Sequence, residues 1–128
     1  MYTLSWDEET RLLESIDGIE ALLDGLHTRF SDGKPTLVTI ERDGTRDSLS
    51  IGLGLDVSVL NHVRADKNPP YSISVGRSNR DEPIAFLFGG EWSEYPIRNT
   101  VPISAARAAM RKFCETGELT KDVVWEEV

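Results

Sequence analysis

Apolar residues first recur at every second position, with Tyr2, Leu4 and Trp6 separated by Thr3 and Ser5 and followed by the acidic triplet Asp7-Glu8-Glu9. A period of two sends successive side chains to opposite faces, so this segment predicts a short strand that ends in a turn. Leu12 and Leu13 fit a second short strand or a loop. From Ser15 the period lengthens: Ile16, Ile19, Leu22, Leu23, Leu26 and Phe30 recur at helical spacing, while Glu14, Asp17, Glu20 and Asp24 mostly take the other side. That predicts an amphipathic helix with Ser15 as N-cap and early acids at the positive end of its dipole. Ser31-Asp32-Gly33-Lys34-Pro35 stops it, because glycine accepts a left-handed cap and proline cannot continue the ladder.

Alternation then returns. Leu37, Val38 and Ile40 predict a strand, Arg42-Asp43-Gly44-Thr45 a tight turn, and Leu49, Ile51, Leu53 and Leu55 a second strand, together a hairpin. Asp56 to Val63 is expected to form one helical turn or an irregular connection. Asn68-Pro69-Pro70 forces an extended loop before a strand carrying Tyr71, Ile73 and Val75, and Gly76 to Pro83 reads as a polar turn. The nearly continuous apolar run from Ile84 to Phe88 predicts a central strand buried on both faces. Ala105, Ala108, Ala109, Lys112 and Phe113 predict a second helix with Ser104 as N-cap and Thr116-Gly117 as its end, and Val123, Val124 and Trp125 a last strand. Runs of strands broken by only two helices indicate an α+β fold: a mainly antiparallel sheet with two principal helices packed against it, in a single domain over residues 1–128.

Composition narrows the chemistry. The 128 residues hold 14 Lys+Arg against 22 Asp+Glu, a net charge of −8, and the bases are scattered. Direct nucleic-acid binding needs clustered bases to neutralise phosphates, so it is disfavoured. Apolar runs are too short to span a membrane and the start lacks a basic segment followed by an apolar one, so a soluble, cytoplasmic protein without membrane association is expected. One cysteine excludes an intramolecular disulfide or a multi-cysteine cage, and the two histidines match no metal-ligand spacing, so no metal and no cofactor is expected. Cys114, in Phe113-Cys114-Glu115, reads as a buried helix cysteine, since a nucleophile would need His27 or His62 beside it. His27 reads as a polar edge or a partner for the helix dipole. Gly52-Leu53-Gly54 contains Gly-x-Gly, but Val57 stands where the dinucleotide fingerprint needs glycine. Those glycines therefore read as a bulge or close packing.

The unusual stretch is Phe88-Gly89-Gly90-Glu91-Trp92-Ser93-Glu94-Tyr95-Pro96. Gly89-Gly90 predicts a sharp turn or bulge that ends strand pairing. Trp92 and Tyr95 offer large area at low rotamer entropy, as interface anchors do, or else they cap the sheet as core residues; both readings stand. Glu91 and Glu94 would attract a basic partner. As a catalytic pair they lack a visible nucleophile, so binding is favoured over catalysis and no catalytic residue is assigned. Asp56 and Asp66, in or beside predicted loops at strand ends, and Tyr71 complete the candidate partner-binding set.

The segments GLGLDVSVLNHV, PPYSISVG, FLFGGEWSEYPIRNTVPISAARAAMRKF and TGELTKDVVWEEV resemble a family of small bacterial immunity proteins, the first-numbered immunity class of polymorphic toxin systems. The likeness runs from about Ile51 to Val128 and is carried by Gly89-Gly90, Trp92, Ser93, Glu94, the Val101-Pro102 step, Ala106-Arg107 and Trp125 in that order. Before Ile51 only the strand–helix–strand order matches. The resemblance implies an α+β protein that binds and blocks a cognate toxin domain, frequently a nucleic-acid (cytidine) deaminase and in other systems a different nuclease-like toxin, without catalysis. The chain has no second cysteine for the deaminase's own zinc signature. The alternative function is an acidic adaptor domain with a non-toxin partner.

Overall fold

The structure is a computed structural model and describes residues 1–64 and 71–128. Asp66 and the Asn68-Pro69-Pro70 loop lie outside the described residues. The chain begins with β1 (Tyr2–Trp6) and β2 (Glu9–Leu13), then α1 (Ile16–Phe30), β3 (Thr36–Arg42) and β4 (Ser48–Leu53). Next come the short β5 (Val57–Ser58), β6 (Leu60–Val63), β7 (Tyr71–Val75), β8 (Pro83–Phe88) and β9 (Glu91–Pro96). A 3-10 turn at Ile97–Asn99 leads through β10 (Val101–Pro102) into α2 (Ile103–Thr116), and β11 (Val124–Glu127) closes the order. The main sheet runs β11-β7-β6-β4-β3-β1-β2, antiparallel at every step, and β10 pairs with β5 in a separate ladder. This is the expected α+β fold.

Period-two patterning explains the layers. Leu4, Val38, Ile40, Leu49, Ile51, Leu53 and Leu60 turn to one face, where Ile19, Leu23, Leu26 and Phe30 of α1 and Ala106, Met110 and Phe113 of α2 cover them. Ser15 caps α1 as its sequence predicts, its Oγ accepting the Gly18 N–H at 3.0 Å. The helices are also joined by Arg107, which donates to Glu20 at 3.2 Å and Asp24 at 2.8 Å. A second, smaller apolar layer lies apart: Leu37, Val59, Ile73 and Phe86, with Leu55, Ile84 and Tyr95 against them.

Four expectations are corrected. Asp56 to Val63 is not a helical turn, because Val57–Ser58 and Leu60–Val63 are strands. Their polar residues are satisfied from afar: Ser58 Oγ accepts the Gly52 N–H, and Ser74 Oγ accepts the Leu60 N–H while donating to the Asn99 carbonyl. Ser104 does not cap α2. The helix starts two residues earlier, after Pro102, and the Ile103 N–H donates to the Asp56 carbonyl at 2.9 Å, so main chain replaces the missing side-chain cap. The last strand is shifted to Val124–Glu127.

The fourth correction positions the candidate site. Ile84 to Phe88 is no central strand: β8 meets the main sheet at one parallel step, Thr36 with Leu87, and otherwise pairs with β9. Only Phe86 is fully buried in it, while Phe88 is 53% exposed. Phe86 lies over Gly52, where a Cβ would stand 2.6 Å from its ring. Gly54 has φ +110° and a Cβ there would stand 2.7 Å from the Phe30 carbonyl, while its N–H donates to His27 Nδ1 at 2.9 Å. Both glycines thus serve close packing.

Gly52→Ala is expected to destabilise the protein by about 1–3 kcal/mol through overpacking against Phe86. Gly25→Ala, at an exposed helix position with open space around it, is expected to gain about 0.5–1 kcal/mol. Urea unfolding of the two variants checks the contrast.

Candidate functional site

Gly89 and Gly90 have φ of +60° and +84°. Positive φ at both central positions makes a two-residue turn whose twist matches the flanking strands, a geometry glycine adopts without steric cost. The glycines therefore reverse the chain, and pairing does not end there. It continues from Phe88 opposite Glu91 to Pro83 opposite Pro96. Directly opposed residues share a face, so Leu87 with Trp92 and Ala85 with Glu94 form the outer face. Phe88 with Glu91, Phe86 with Ser93 and Ile84 with Tyr95 form the inner one.

This division separates the two aromatic candidates. Tyr95 is half-buried against the second layer, its hydroxyl accepts from Asn61 Nδ2 at 3.3 Å, and burial pushes its pKa up against the lowering effect of that bond. It caps the sheet. Trp92 is 56% exposed, so the core reading does not apply to it. Glu91 and Glu94 are exposed and form no ion pair among the described residues.

The hairpin tip faces the β1–β2 turn across an open cleft of about 350 Å³ lined by Trp6, Asp7, Glu8, Glu9, Arg29 and Gly89-Gly90. Arg11 lies 5.5 Å over the Trp6 ring and pairs with Glu9 at 2.9 Å. Phe88 also borders a smaller cleft with Trp6, Leu37 and Thr39. Sequence reasoning assigned no role to Phe88 or to the acidic turn. The available signal was Gly-Gly between two strand-like runs, Ile84 to Phe88 and Glu91 to Tyr95, which reads as a two-residue hairpin turn.

A family model described as Immunity protein Imm1 matches residues 7–127. The chain belongs to the Imm1 family. Membership places it in toxin immunity, with a cognate toxin protein as partner. The match takes in α1, β3 and β4 as well as the hairpin, well beyond the likeness read from Ile51 onward. No curated protein matches the chain.

Other Imm1 residues singled out in the sequence fall on separate elements. Asp56 is exposed between β4 and β5, with its carbonyl held by the start of α2. Tyr71 is exposed at the start of β7, on the face it shares with Ile73, and its carbonyl accepts the Val128 N–H at 3.2 Å. Among the described residues no group of three or more His, Cys, Asp or Glu is placed to hold a metal, and no helix is long and apolar enough to cross a membrane. Cys114 is buried at 1% exposure, and burial pushes its thiol from an ordinary 9.0 to about 11, with Glu20 and Glu115 adding to the rise and Arg42 opposing it. A thiol at that value holds little thiolate at neutral pH and makes a poor nucleophile.

The raised thiol has a stability consequence. The folded state favours the protonated form, so the contribution is complete below the unfolded value near 9 and is lost as pH rises through about 11. The melting temperature is expected to fall more steeply between those values for the native chain than for Cys114→Ala, and thiol reagents should label Cys114 only under unfolding conditions. Equal slopes and fast labelling at pH 8 would contradict this placement.

Proposed function

We propose that this Imm1 protein neutralises a nucleic-acid deaminase toxin in the cytoplasm of the producing cell by occluding it at one-to-one stoichiometry, with no chemical change in either chain. The observation that carries the reading is an exposed tryptophan on a regular hairpin between two acids that form no ion pair among the described residues, Trp92 between Glu91 and Glu94. A rigid aromatic loses little entropy on burial and anchors an interface, and the flanking carboxylates attract a basic surface. Enzymes that grip nucleic acid carry basic clefts, and a chain of net charge −8 is steered onto them. Glu91, Trp92 and Glu94, joined by Phe88, form the centre of the proposed surface, with Tyr95 supporting it from the inner face. Asp56, Asp66 and Tyr71 are proposed as further contacts.

The test uses the cognate toxin domain as a purified protein. Titrating it with the protein should abolish its activity at a one-to-one ratio with both intact masses unchanged. Inactivation at substoichiometric amounts, or a mass shift in either chain, would mean catalysis and overturn the reading.

Two further outcomes are expected. Trp92→Ala should leave the free protein's stability within about 0.5 kcal/mol while weakening the complex by about 2 kcal/mol or more, roughly thirtyfold in Kd. The association rate should fall as added salt shortens the screening length, and Glu91→Gln with Glu94→Gln should flatten that dependence.

A further inference from the structure

The hydrogen-bond register of β9 follows from its two ends. A two-residue turn at Gly89-Gly90 makes Phe88 and Glu91 a bonded pair, and at the far end the Ile97 N–H donates to the Glu82 carbonyl at 3.0 Å. Bonded and non-bonded pairs alternate between them, so Glu91, Ser93 and Tyr95 direct their main-chain groups to β8. Trp92 and Glu94 direct theirs the other way. The β8 side agrees: the Leu87 N–H, in a non-bonded pair, turns outward to the Pro35 carbonyl at 2.8 Å. Pro83 and Pro96 face each other in another non-bonded pair, where a missing N–H costs no ladder bond.

Among the described residues β9 pairs with β8 alone. The N–H and C=O groups of Trp92 and Glu94 thus form a short open strand edge, and Pro96 ends it. The same two residues carry the exposed indole and, on the outer face, a carboxylate with no ion pair among the described residues. Backbone and side chains are offered together at one place.

We propose that the partner adds a strand to this edge: an extended segment of the toxin domain pairs with Trp92 and Glu94 and carries Arg or Lys at alternate positions. Strand addition draws affinity from main-chain bonds and specificity from alternate side chains. A basic side chain on the outer face would meet the Glu94 carboxylate with its stem or guanidinium against Trp92. Charge selects the occupant, because Glu94 forms no ion pair among the described residues. The inference rests on the toxin-binding reading.

The experiment compares Glu94→Pro with Glu94→Ala in binding the purified toxin domain. Proline removes an outward N–H and puts its ring where the added strand would lie, yet breaks no bond to β8; Pro96 already occupies this register with φ −68°. Glu94→Pro should keep the native circular dichroism and bind at least about tenfold more weakly than Glu94→Ala, the equivalent of one lost hydrogen bond near 1.4 kcal/mol. In the unaltered protein, amide exchange should be fast at Trp92 and Glu94 when free and slowed at least tenfold in the complex, with Ser93 and Tyr95 slow in both; this measurement decides the matter if Glu94→Pro fails to fold. A complex in which Trp92 and Glu94 stay fast, or equal affinity of the two variants, overturns strand addition and leaves toxin binding standing. Failure of the unaltered chain to bind or inhibit the toxin domain removes the functional reading and the inference with it.

Discussion

One edge of β3 has two claimants. β1 takes the part from Thr39 to Arg42, and a backbone donor or acceptor already bonded to one strand cannot serve another. Only the start of β3, at Thr36, remains for β8. β8 therefore leaves the sheet almost as soon as it meets it, and its hold depends on Phe86 seated over the bare backbone of Gly52 and on the Leu87 bond to Pro35. The hairpin projects because the main sheet has no further room for it. Exposure of Phe88 and Trp92, the cleft against the β1–β2 turn and the free side of β9 all descend from this shared edge.

The patterning that was legible records one-sided burial. α1, its Ser15 cap and the β3–β4 hairpin follow from periods of 3.6 and 2, since each residue's face is set by its own spacing. β5 and β6 were not legible, because the polar positions that disguised them as loop find partners on other elements, Ser58 at the Gly52 N–H and Asn61 at the Tyr95 hydroxyl, while Ser74 takes the Leu60 N–H. The start of α2 was missed for the same reason: its cap is a carbonyl supplied by Asp56. A continuous apolar run such as Ile84 to Phe88 does not say whether its second face meets a layer or solvent, and only topology decides.

For the candidate site, the dense stretch around Trp92 stood out in the sequence, but its division into two faces did not. Trp92 and Tyr95 are three residues apart, so on a strand they point opposite ways, one to solvent and one to Asn61. The charge field was equally hidden in the bare total. Arg80, Arg98, Arg107 and Arg111 are engaged with Glu82, with Asp81 and Glu126, with Glu20 and Asp24, and with Glu115 respectively. Such pairs contribute little stability where they are exposed. Their effect is to cancel negative charge near those arginines, while Glu91 and Glu94 are among the acids that no ion pair engages among the described residues.

An open strand edge is ordinarily a hazard, since any second copy can extend it and so begin a growing stack. The facing prolines at positions 83 and 96 limit that hazard. They close the ladder where a longer edge would begin, so two copies meeting edge to edge would share only a few main-chain bonds while opposing like carboxylates. Here the same few residues that leave an edge open also keep it too short and too negative to template aggregation.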